Sequence, residues 1–240
     1  QRRRAFGQPI ALYPAVLELL GRMRLRLTAS LATTFRLLAV TDRLDTGDGD
    51  LDLAAARRIA VMINKYRTAV AATQTTRDAI EVLGGNGTIE DFSVLPRLYR
   101  DAIVVESWEG THNTLCAQVL RDFAARGLHR PWLAELHREV EALGHPGSRE
   151  VAATAHGLLV DVEARIARLL AGDELSAAAC IRPVVDRMCR VTDWVALATQ
   201  LDWELAGGGA GDTAEALELC RLNRLEAADP QATPRLAELN

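Results

Sequence analysis

Two helix-compatible runs of more than 30 residues, joined by one short turn, constrain this chain more than any other feature. From residue 12 to about 44, Leu, Val and Ala come in runs with Arg at intervals. Residues 45–50, "DTGDGD", hold two glycines and let the chain reverse. A second run extends from about 51 to 83. In it Ile59, Met62, Ile63, Tyr66, Val70 and Ile80 largely keep the 3.6-residue period that puts side chains on one helix face. Gly84-Gly85 stops it, since glycine leaves a helix at little steric cost. Two antiparallel helices of this length bury their apolar faces most simply in a bundle.

The rest of the chain has the same character. "GGNGTIEDFSVLP" (84–96) is irregular, and short helices are expected near 97–103 and from about 111 to 125. "ARGLHRPW" (125–132) reads as a boundary, with Gly127 at a helix end and Pro131 opening the next helix. Further helices are expected near 131–143, 148–171, 174–205 and 212–228, separated by "GHPGS", "AGD" and "AGGGAGD". No strand pattern of useful length occurs. The expected fold class is all-α: an up-down helical bundle over residues 1–127, followed by a second helical subdomain over 128–240. A length of 240 residues allows one good core and a smaller second one.

Composition narrows the function. Hydrophobic residues make up 49% and charged residues 25%, as in a soluble globular protein, and no apolar run nears a membrane span. The opening "QRRRAFGQPI" superficially resembles a twin-arginine export signal, but Pro14, Glu18, Arg22, Arg24 and Arg26 interrupt the stretch after it. A cytoplasmic protein is expected, with its natural N-terminus upstream because no initiator Met is present. Cys116, Cys180, Cys189 and Cys220 form no CxxC pair and read as buried, inert thiols. The five histidines have no ligand spacing, so no metal site is expected, and Trp132, Trp194 and Trp203 read as core or interface. Residues 1–127 carry 17 basic against 14 acidic side chains, and residues 128–240 carry 11 against 18. An acidic second half is poor ground for phosphate or DNA binding.

Three short elements then stand in order: "RRAFGQPI" (3–10), "EVLGGNGTIEDFSVLPRLYRD" (81–101) and "ESWEGTHNTL" (106–115). Their order and spacing resemble the RxxFGxxI, GGxG…RD and YEGT motifs in the C-terminal domain of the acyl-CoA dehydrogenase family. The likeness covers about residues 1–126. Glu81 before the glycines, "LPRLYR" and "WEG" bring it closest to the AidB-like branch, which also has extra C-terminal helices. The resemblance implies α,β-oxidation of an acyl-CoA thioester with FAD as cofactor. It makes Glu109 the base that takes the α-proton, where a lone Glu109 would be a helix-start charge. Trp108 holds the family's usual Tyr place beside flavin and thioester. Arg3 and Phe6 would face the FAD of a neighbouring subunit. Glu81, Gly84, Gly85 and Gly87 would approach the dinucleotide, and Thr111 and Asn113 would contact it at a helix start. Glu81, Thr88 and His112 depart from the family's usual Gln, aromatic and small polar residues.

Family enzymes also have an N-terminal helical domain and a middle β-domain, which hold much of the substrate and flavin sites. The chain is therefore expected to be a fragment or one partner of a split enzyme. It would begin after the first bundle helix and be inactive alone. A homo-oligomer, tetramer or dimer, is expected, with missing domains or a partner subunit completing the site. The alternative is a non-enzymatic oligomerisation or DNA-associated module of an AidB-like alkylation-response flavoprotein, against which the acidic second half argues.

Overall fold

The computed structural model describes residues 3–225. A two-residue hairpin, β1 (Arg4–Ala5) with β2 (Gln8–Pro9), precedes eight helices among the described residues. These are α1 (Pro14–Asp45), α2 (Leu51–Leu83), α3 (Leu95–Ser107) and α4 (His112–Arg126), then α5 (His129–Glu141), α6 (Arg149–Ala171), α7 (Glu174–Ala206) and α8 (Thr213–Leu225). The long pair expected from periodicity is present within two residues at each end. Pro14 opens α1 where its missing N–H costs nothing. The Asp50 carboxylate caps α2 by accepting from the Leu53 N–H at 2.8 Å. The expected end of the last helix at 228 lies outside the described residues.

α7 occupies the centre. Eight consecutive residues, Val191 to Ala198, are buried, so this stretch is covered on every side rather than along one stripe. It packs on α1, α2, α4, α5, α6 and α8. One buried cluster joins Ala29, Ile59, Phe123, Trp132, Leu159 and Trp194, and residues on both sides of position 127 share it. Burial sorts the expected tryptophans and cysteines, and it corrects the reading of Cys180 as buried. Trp203 is 75% exposed on the last turns of α7, outside the core that holds Trp132 and Trp194. Cys180 is exposed, whereas Cys116 and Cys189 are buried, and burial pushes both of those thiols up from their ordinary range.

Polar side chains tie α7 to the first two helices. Asp193, 5% exposed, accepts from the Thr33 hydroxyl at 3.0 Å and from Arg67 Nε at 3.1 Å. Burial disfavours the Arg67 cation, but the groups around it, Asp193 foremost, together outweigh that and raise its pKa. Along one exposed face of α1, Leu27, Leu31, Phe35 and Leu38 recur at helical spacing. No helix among the described residues is long and apolar enough to cross a membrane.

Candidate functional site

The turn between α3 and α4 carries Glu109, and its backbone is unusual. Glu109 has φ 55°, in the left-handed region that side chains with a Cβ adopt at a cost. Trp108 ends α3 by donating its N–H to the Val104 carbonyl at 2.9 Å. Gly110, with φ 112°, turns the chain into α4, which Thr111 begins in extended backbone. Glu109 therefore sits exposed at the apex between two helices, and no hydrogen bond among the described residues uses its N–H. Trp108 beside it is 55% exposed. The Thr111 and Thr114 hydroxyls pair at 3.2 Å, and Asn113 is exposed on the first turn of α4.

Two residues absent from the motif reading support this turn from α2. Lys65 Nζ donates to the carbonyl of Glu106 at 3.3 Å and to that of Gly110 at 3.2 Å. Tyr66, buried, meets the His112 ring edge to face, with centroids 4.8 Å apart. The Tyr66 hydroxyl donates to Asp186 Oδ1 at 2.7 Å and accepts from Arg182 Nε at 3.3 Å, both on α7. Burial first, then the Asp186 carboxylate, holds that hydroxyl protonated far above its ordinary value. His112 Nε2 is buried with no hydrogen-bond partner, 3.9 Å from Glu106 Oε2. Burial lowers its pKa, and Glu106 partly opposes that. Tyr66 was visible as a periodic apolar position; nothing in the sequence marked Lys65.

The other expected residues gather elsewhere. Arg3 donates from Nη1 to the Val82 carbonyl at 3.2 Å, and its guanidinium lies across Gly84. A Cβ at Gly84 would meet Arg3 Nη2 at 3.1 Å, and the residue has φ 61°, so both space and backbone favour glycine there. Around the Cβ direction of Gly85 there is nothing within 4 Å. Gly87 differs: a Cβ there would strike the Ile80 carbonyl at 2.6 Å, so its lack of a side chain serves the turn itself. Glu81 and Phe6 are exposed, Phe6 at 99% with φ 47°.

The expected residues thus form two groups. Lys65, beneath the Glu109 turn, and Gly84, which caps α2, lie nineteen positions apart along that helix, roughly 28 Å at about 1.5 Å per residue. The groups fit a dinucleotide cofactor in kind: an exposed guanidinium over a glycine, an open glycine beside it, and an exposed indole next to a carboxylate. Among the described residues they do not form one pocket.

A helical bundle with these motifs defines a class, and the comparisons agree with it. Residues 1–124 match the family model described as "Acyl-CoA dehydrogenase, C-terminal domain", and the chain belongs to that family. Among curated relatives, AidB of Escherichia coli (strain K12) is 37% identical over 120 residues, 50% of this chain and 21% of AidB. Acyl-CoA dehydrogenase family member 11 of Caenorhabditis elegans is 32% identical over 128 residues, 52% of this chain and 20% of that protein. The matched half of the chain spans about a fifth of the length of these relatives. Two solved structures share the fold over 98% of the chain. The Bacillus anthracis acyl-CoA dehydrogenase complexed with FAD has TM-score 0.73 at 15% identity, over 42% of its own chain. Caenorhabditis elegans ACDH-11, in complex with C11-CoA, has TM-score 0.69 at 20% identity, over 37% of its own chain.

Proposed function

We propose that this chain supplies the helical C-terminal part of an FAD-dependent acyl-CoA dehydrogenase, with Glu109 as catalytic base. The observation that carries the reading is the Glu109 turn: a carboxylate at an exposed apex, in a costly backbone conformation, with its own N–H uncommitted. Strain of this kind persists where the surrounding structure holds it, and it concentrates at functional sites. An α-C–H beside a thioester is a weak acid, so proton removal needs both a base and a donor to the carbonyl oxygen. Glu109 offers both, its carboxylate for the α-proton and its N–H for the developing enolate oxygen. FAD, held by the cofactor residues named above, would supply the hydride-acceptor chemistry for the β-hydrogen. Trp108 shields the reacting face from water. Thr111 and Asn113 hold the cofactor at the start of α4, where the helix dipole favours anionic groups.

The separation of roughly 28 Å along α2 supports an oligomer in which one chain serves two flavins. The Glu109 group works on its own, while Arg3, Phe6, Glu81, Gly84 and Gly85 reach a neighbour's. The protein is cytoplasmic in this reading, and no observation favours the non-enzymatic alternative.

Glu109→Gln in the FAD-loaded, full-length protein tests the assignment. Gln keeps the size and the N–H but accepts no proton. Flavin content should stay at the wild-type level, while bleaching of the flavin by acyl-CoA should slow on the order of 10²- to 10⁴-fold. Bleaching at the wild-type rate would leave Glu109 a helix-start charge.

A further inference from the structure

We propose that Lys65 is a positioning residue for the chemical step: its ammonium clamps the turn that carries Glu109. This rests on the reading of Glu109 as base. Lys65 projects from the middle of α2 and donates to two carbonyls four residues apart, Glu106 at 3.3 Å and Gly110 at 3.2 Å. Between those anchors lie only Ser107, Trp108 and Glu109. The Glu106 carbonyl belongs to the last turn of α3, where the helix itself offers no partner and a cation is favoured. The Gly110 carbonyl lies just beyond Glu109, at the backbone position with φ 112°. One nitrogen therefore closes the turn into a short loop with fixed ends.

That closure has a consequence for Glu109. A glutamate at φ 55° relaxes toward negative φ unless neighbouring atoms forbid it. Rotation there would change the direction of the Glu109 N–H relative to its carboxylate. The clamp opposes it by tying the Glu106 and Gly110 carbonyls, on either side of the residue, to one donor. Lys65 touches neither substrate nor cofactor in this scheme. It acts through the backbone of the base.

Lys65→Met keeps the reach and burial of the side chain but removes its donors, and Lys65→Arg keeps charge and donors. Both belong in the full-length, FAD-loaded protein beside Glu109→Gln. For Lys65→Met, flavin bleaching at saturating acyl-CoA should slow about 10- to 100-fold, the scale of a misplaced catalytic group. KM, flavin content and thermal midpoint should stay near wild type, and amide hydrogen exchange over residues 107–111 should quicken. Lys65→Arg should restore most of the rate. Lys65→Met bleaching at the wild-type rate while Glu109→Gln is inactive would overturn the clamp alone. Equal losses of rate, flavin and thermal midpoint that Arg does not restore would reduce Lys65 to a structural residue and also overturn it. Glu109→Gln at the wild-type rate would instead remove the reading on which the clamp depends.

Discussion

Thr33 on α1 and Asp193 on α7, 160 positions apart in sequence, meet through a buried hydrogen bond of 3.0 Å. Arg67 on α2 completes the group at 3.1 Å from the other carboxylate oxygen. Asp193→Ala would leave Arg67 without its counter-charge and Thr33 without its acceptor. Removing one partner of a buried pair costs about 3–5 kcal/mol, and the partial exposure of Arg67 places this case near about 3. Urea unfolding should show the loss. A change below about 1 kcal/mol would mean that water replaces the carboxylate.

Acid should weaken the fold through two histidines. Burial lowers the pKa of both His112 and His129 below the ordinary 6.5, with Arg130 adding to the effect at His129. The unfolded chain then binds protons more readily than the folded one. The histidine contribution is fully present above pH 6.5 and is lost as pH falls through the lowered folded-state values. His112→Phe keeps a ring against Tyr66 and removes the unpartnered nitrogen. Its thermal midpoint should fall less than that of the wild type between pH 7 and pH 5.5, and parallel curves would contradict this.

Glu109→Gly should separate stability from activity. Glycine adopts φ 55° without the Cβ penalty, so the variant should gain about 0.5–1 kcal/mol while losing all flavin reduction. A destabilised variant would show that the Glu109 side chain makes a contact worth more than its backbone strain.

The exposed face of Leu27, Leu31, Phe35 and Leu38 on α1 should drive self-association. Light scattering at micromolar concentration should report an oligomer, and Leu31→Lys with Phe35→Lys should shift it toward monomer. A strictly monomeric wild type would argue against this face as an interface.

Periodicity and turn chemistry made the helices legible. The pattern through Ile59, Ile63 and Tyr66 marked the buried face of α2, and Gly47 and Gly84 marked the ends of the long pair. The Glu109 turn was legible only as a motif. Its positive φ had no sequence signal, because glutamate does not favour that region and only Gly110 after it hinted at a tight turn. Lys65 was invisible for another reason: its partners are carbonyls 41 and 45 positions away, and any residue type presents a carbonyl. Trp203 shows a third limit, since a large apolar ring in an apolar helix gives no sign of which way the helix faces.

The core that runs across position 127 bears on how such proteins exchange parts. The family-model match ends at residue 124, but Phe123 lies in the same buried cluster as Trp132 and Trp194. A graft of residues 1–124 onto another family member would strip the packing from the inner faces of α1, α2 and α4. A graft through the end of α7 would carry its own interior with it. The unit that folds around a closed interior is therefore longer than the stretch that the family model matches.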